Sequence, residues 1–154
     1  MAVQNLSGKT LVLGALGLGL LFSGTAAAEG VAQIKTSKGT VVVERGSQSL
    51  VGDSGMRLQQ SDVVRTGSDG SAGITFTDNT LMSVGPNSVI ALDRYAFDST
   101  THEGRLEASL RRGTLSVVSG KIARQSPDAM TVKTPATILG VRGTEFFVQV
   151  GEAK

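Results

Sequence analysis

Cysteine and tryptophan are absent from all 154 residues, and the chain holds one histidine, one tyrosine and three prolines. Without Cys there is no disulfide, no thiol nucleophile, no Cys-ligated zinc and no lipidated cysteine of the bacterial lipoprotein kind. Aromatic residues at 4% leave only Phe, one Tyr and Arg for a stacking platform, which argues against a lectin or an RNA binder. Charge of either sign is sparse too. Fifteen Lys and Arg against thirteen Asp and Glu give a formal +2, with no basic stripe dense enough to displace many counterions from a phosphate backbone. Nucleic acid is therefore not an expected partner. There is no Gly-x-x-x-x-Gly-Lys-Ser/Thr phosphate loop and no dinucleotide fingerprint on a βαβ pattern, so nucleotide cofactors are not expected either.

The chain is long enough for one domain with a real core. It opens with Lys9 as the only charged side chain before an uninterrupted apolar run from Leu11 to Phe22. The run ends in Ser23-Gly24-Thr25-Ala26-Ala27-Ala28, whose small residues supply the Ala-x-Ala pattern of signal-peptidase cleavage. Residues 1–28 are thus expected to be a signal peptide cut before Glu29, with an uncleaved anchor as the alternative. Residues 29–154 form the mature domain, its core spanning about 34–150. That domain is expected to be periplasmic or secreted, with no stable membrane anchor once the signal is removed.

After Ala28 no stretch sustains a helical period, whereas period-2 alternation bounded by Gly, Asp, Asn and Pro recurs. In Arg105-Leu106-Glu107-Ala108-Ser109-Leu110-Arg111 the apolar side chains share one face, and Phe146, Val148 and Val150 do the same in the run from Glu145. Met130 to Lys133 behaves similarly. Ile74 to Thr77 and Thr80 to Ser83 around Asp78-Asn79 predict a two-residue type I′ hairpin with Phe76 opposite Leu81. Gly85 to Ser88 is the next turn, followed by a strand over Val89 to Leu92, and Asp98 to Gly104 and Gln125 to Asp128 read as loops. Three β-rich runs start from Gly-Thr, at Gly39, Gly113 and Gly143, with irregular spacing. The expectation is all-β: a compact β-roll, a short solenoid or a distorted barrel.

Several side chains invite a chemical reading. Gly52-Asp53-Ser54-Gly55 is similar to the surroundings of a chymotrypsin-like serine, but the lone His102 follows the Ser and Met56 stands where a second Gly belongs, so a turn is expected. Asp53, Asp62, Asp69 and Asp78 recur at near-regular intervals without the Gly-Gly-x-Gly-x-Asp unit of calcium-binding rolls, so they read as turn residues. His102 has no second His beside it, and no metal site is expected. No catalytic group and no cofactor is assigned. The candidate contact residues are Arg142, Gly143 and Thr144, where Arg142 can pair with a partner's carboxylate or clamp a turn of its own chain, together with Arg112, Arg94 and Tyr95.

An ordered set of fragments runs from Gly39 to Val150: Gly39-Thr40-Val41-Val42-Val43-Glu44-Arg45-Gly46, Val51-Gly52-Asp53, Ser61-Asp62-Val63-Val64-Arg65-Thr66-Gly67-Ser68-Asp69-Gly70-Ser71-Ala72, Phe76-Thr77-Asp78-Asn79-Thr80, Gly85-Pro86-Asn87-Ser88, Arg112-Gly113-Thr114, Val132-Lys133-Thr134-Pro135 and Val141-Arg142-Gly143-Thr144-Glu145-Phe146. Their order resembles the FecR domain. The resemblance implies an all-β periplasmic module, best known from the iron-citrate regulator that relays a signal from an outer-membrane transporter to a sigma factor. Neither an anti-sigma region before the hydrophobic segment nor a transducer-docking domain after the β domain is expected, and so direct transmembrane signalling is not expected. The first expectation is a non-catalytic binding or sensing module for an envelope or membrane receptor protein. The alternatives are a structural envelope protein that binds peptidoglycan or associates with its own copies, and a small hydrolase.

Overall fold

The computed structural model describes residues 29–142 and 144–151; the expected signal peptide and Gly143 lie outside them. Twelve strands carry almost all the regular structure: β1 (Ala32–Lys38), β2 (Val41–Arg45), β3 (Gln48–Val51), β4 (Arg57–Leu58), β5 (Val63–Thr66), β6 (Ser71–Phe76), β7 (Leu81–Val84), β8 (Val89–Phe97), β9 (Gly104–Val118), β10 (Met130–Lys133), β11 (Ile138–Gly140) and β12 (Glu145–Val150). One short helix, α1 (Lys121–Gln125), and a 3-10 turn over Pro127–Ala129 lie between β9 and β10.

All twelve strands belong to one hydrogen-bonded sheet that curls into a half-barrel, the distorted-barrel form of the expected all-β shapes. The fifteen-residue β9 organises it. Its first half, Gly104 to Arg112, lies between β8 and β10; its second half, Gly113 to Val118, lies between β7 and β12. The strands therefore fall into two leaves that share β9. One runs β4-β1-β6-β7-β9-β12, the other β3-β2-β5-β8-β9-β10-β11. Every pairing is antiparallel except that of β9 with β10.

Alternation along each strand sends one set of side chains into a single core. Ala72, Ile74 and Phe76 point inward from β6 while Ser71, Gly73 and Thr75 lie outward. Ile34, Val43, Ile90, Leu106, Leu110, Leu115 and Val132 join them with essentially no exposure. Each such burial contributes roughly 1.5–3 kcal/mol. Along β9, Leu110 and Leu115 both face the core although five positions apart, a spacing that in a regular strand would put them on opposite faces. The register explains it: Ile90 pairs with Leu110 and Val89 with Arg112, so one extra residue bulges at Arg111 and restores the parity as the strand passes between leaves.

Two expectations are corrected. The β6–β7 hairpin has a three-residue turn, Thr77-Asp78-Asn79, in which the Asn79 N–H donates to the Phe76 carbonyl (3.0 Å) and Asn79 takes φ 67°. Thr75, not Phe76, therefore faces Leu81. The longer turn leaves Leu81 exposed, keeps Phe76 buried and aims Asp78 inward. The second correction is α1 itself. Five residues are too short to display a helical period, yet Ile122 and Ala123 are buried.

Candidate functional site

The turns quoted for the sequence resemblance gather into two polar nodes and one ion pair. In the first node, Thr66 and Ser88 are both buried. The Thr66 hydroxyl donates to the Gly85 carbonyl (2.6 Å) and accepts from the Ser88 N–H (3.0 Å), while Ser88 Oγ accepts from the Thr114 N–H (3.0 Å). The Gly67 N–H reaches the Thr40 carbonyl (2.9 Å), and the Thr40 N–H donates to Asp69, holding that carboxyl below its usual range. Turns from four separate stretches of chain, at residues 39–40, 66–70, 85–88 and 113–114, are thus stitched together. The hydroxyls take up backbone groups that bending strands leave without a ladder partner.

The second node is built on Asp78, which is fully buried. Its carboxyl oxygens accept from the Thr80 hydroxyl (2.7 Å), the Thr80 N–H (3.2 Å), the Ile122 N–H (3.2 Å) and the Tyr95 hydroxyl (3.3 Å). The Lys121 N–H donates to its backbone carbonyl (2.8 Å). Asp78 therefore caps α1 from the hairpin above it, since Gly120 at the helix start has no side chain to do so. Tyr95, a sequence candidate for a contact surface, is instead a core residue: its ring lies 5.3 Å from that of Phe76, and its hydroxyl meets Thr77 Oγ1 (2.8 Å) and the Asp78 N–H (3.0 Å).

Burial pushes the Tyr95 phenol up to about 12. A folded-state value above the unfolded one stabilises the fold fully below the unfolded value near 10, and that contribution is lost as pH rises through about 12. With a single Tyr and no Trp, phenolate absorbance reports this group alone. The expected midpoint is near 12 in native protein and near 10 in urea. A native midpoint at the urea value would show that the phenol is not buried as described.

Between the nodes, Arg45 forks onto Asp62. Nε meets Oδ1 at 2.9 Å and Nη2 meets Oδ2 at 2.7 Å, and Nη2 also donates to the Arg57 carbonyl (3.0 Å). Asp62 is buried and accepts from the Gln59 N–H as well (2.8 Å), and the Asp62 hydrogen bond raises the Arg45 pKa. This bidentate pair ties β2 to the turn before β5. From sequence, Asp62, Asp78 and Ser88 read only as turn residues and Thr66 enters only through the family resemblance; no alternation signal marks a polar side chain folded back under a turn.

A model of the family described as FecR protein matches residues 62–154, more than half of the chain and including most of these turns. The chain belongs to the FecR family. Neither a curated protein nor a solved structure matches it.

In this FecR domain the other sequence candidates are scattered over the surface. Arg142 and Thr144 lie exposed on the link that carries the chain from β11 to β12, with Gly143 between them outside the described residues. The Arg142 guanidinium is 3.8 Å from Asp128, and both side chains are more than four-fifths exposed, so the pair adds little stability. Arg112 is exposed at the β9 bulge. Arg94 sits on the outer face of the second leaf opposite Glu107, whose carboxyl is held below its usual range first by the Arg105 hydrogen bond (2.7 Å). Ser54 lies in an exposed turn, whereas His102 stacks on Phe97 in the β8–β9 loop, 6.2 Å between ring centres. Among the described residues, no three His, Asp or Glu side chains are placed to share an ion.

A cavity of about 350 Å³ runs between the β10–β11 hairpin tip and the end of β12, lined by Pro135, Ala136, Leu139, Val148 and Val150 among others. Ile138 on β11 and Phe147 on β12 are both exposed next to it. Among the described residues, no helix is long and apolar enough to cross a membrane.

Proposed function

We propose that residues 29–154 work outside the cytoplasm as a non-catalytic FecR-type binding and sensing module for an envelope or membrane receptor protein, after export on the N-terminal signal. Membership of a regulatory family supports the signalling part of this reading. The observation that carries the binding part is that every buried side-chain polar atom among the described residues already has a partner within the fold. Thr66, Ser88, Asp78 and Thr80 are spent on joining turns. What remains for recognition is the surface, above all the exposed Arg142 and Thr144 between β11 and β12.

The test begins with cells producing the tagged full-length chain, treated with a mild crosslinker before envelope capture and mass spectrometry. Export predicts a processed protein whose first residue is Glu29. The binding reading predicts that a membrane receptor, cyclase or transporter is recovered with the wild type and lost with Arg142→Asp. Recovery of murein alone, or of a receptor indifferent to Arg142→Asp and to charge placed on Thr144, would overturn it in favour of the structural alternative.

A further inference from the structure

We infer that β12 is a self-association edge, pairing antiparallel with β12 of a second copy about a twofold axis through Phe147. This stands apart from the receptor reading and does not depend on it. Among the described residues the sheet has four edge strands, and three are short: β4 has two residues, β11 three and β3 four. β12 has six, in unbroken register with β9, without the Lys, Pro or bulge that commonly blunts an edge. Among the described residues it pairs on one side only.

The groups it offers follow from parity. The Ser119 N–H donates to the Thr144 carbonyl (2.8 Å), so Thr144 turns its backbone groups toward β9, and so do Phe146, Val148 and Val150 at steps of two. On the other side of β9, the Gly85 N–H donates to the Thr114 carbonyl (3.1 Å), which assigns the alternate β9 residues to β7 and fits the same parity. Glu145, Phe147 and Gln149 therefore present their N–H and C=O groups to the free edge, and their side chains are exposed. Such a row is a ready template for pairing with another strand.

The sequence of β12 is self-complementary in one register. With Phe147 opposite its own copy, Glu145 faces Gln149 and Phe146 faces Val148 across the axis. The single charge of the strand never meets itself, the two exposed Phe147 rings bury each other, and all three outward-facing residues exchange backbone hydrogen bonds. A twofold pairing of this kind closes after two copies.

Because the chain has no Cys, one introduced thiol is a unique probe. Protein from the full-length gene is expected to sediment as a dimer. Phe147→Lys, which sets like charges opposite each other at an exposed position, should sediment as a monomer that melts as the wild type does. Phe147→Cys should crosslink to itself through a short bis-thiol reagent. Glu145→Cys and Gln149→Cys should crosslink to each other when mixed and far less to themselves. A monomeric wild type at its highest soluble concentration overturns the inference. So does a dimer that survives Phe147→Lys, or crosslinking at Phe147→Cys no greater than at the exposed Val51→Cys on β3.

Discussion

Gly113→Val is expected to lower the unfolding free energy by about 4 kcal/mol, read from the midpoint of urea denaturation. Gly113 takes φ +93°, where an L side chain is strained by roughly 1–3 kcal/mol. An added Cβ would also lie 2.0 Å from Ser88 Oγ and 2.5 Å from Ser88 Cα, which no rotamer of Ser88 can relieve because its backbone is in the way. Overpacking of this kind costs roughly a further 1–3 kcal/mol. Gly46 provides the contrast. It takes φ +59° at the β2–β3 turn with nothing within 4 Å of a built Cβ, so Gly46→Ala should lose only about 1 kcal/mol. Similar losses at the two sites would mean that the contact between the β9 bend and the Ser88 turn does not matter.

Asp78→Ala is expected to cost about 4 kcal/mol, seen as a fall of roughly 10–15 °C in Tm. The substitution removes the acceptor for the Ile122 and Thr80 N–H groups and for two hydroxyls in a region without solvent exposure. Each buried donor left unmatched costs about 1–3 kcal/mol. Asn in place of Asp keeps the shape but turns an amide nitrogen toward donors, so Asp78→Asn should recover less than half of the loss. Helix α1 should suffer first, since its capping group comes from the hairpin. A loss under about 1 kcal/mol for the alanine variant would show that water enters and replaces the carboxyl.

Strand alternation was the legible part of this fold. The faces of Arg105 to Arg111, of Met130 to Lys133 and of Glu145 to Val150 are as the spacing predicts, because period 2 follows directly from backbone geometry. Turn length was less legible: Asp78-Asn79 suits a two-residue turn and a three-residue turn equally, and the choice rests on the burial of Asp78 against Tyr95 and α1. Tyr95 misled for a related reason. Its neighbours Asp93 and Arg94 are exposed, but the register shift between Leu92 and Arg94 changes which face Tyr95 occupies. Of the candidate contact residues, Arg142 and Thr144 are exposed on the link into β12, whereas Arg94 and Arg112 lie on β8 and β9.

The sharing of β9 between the leaves also sets an order of assembly. Before Gly104 leaves the ribosome, β1, β4, β6 and β7 can pair among themselves, as can β2, β3, β5 and β8, but no strand of one set pairs with a strand of the other. Two half-sheets with bare apolar faces must wait for one strand to join them. Closure is therefore late and nonlocal, and the chain is most open to proteolysis and to chaperone capture in the interval before β9 arrives.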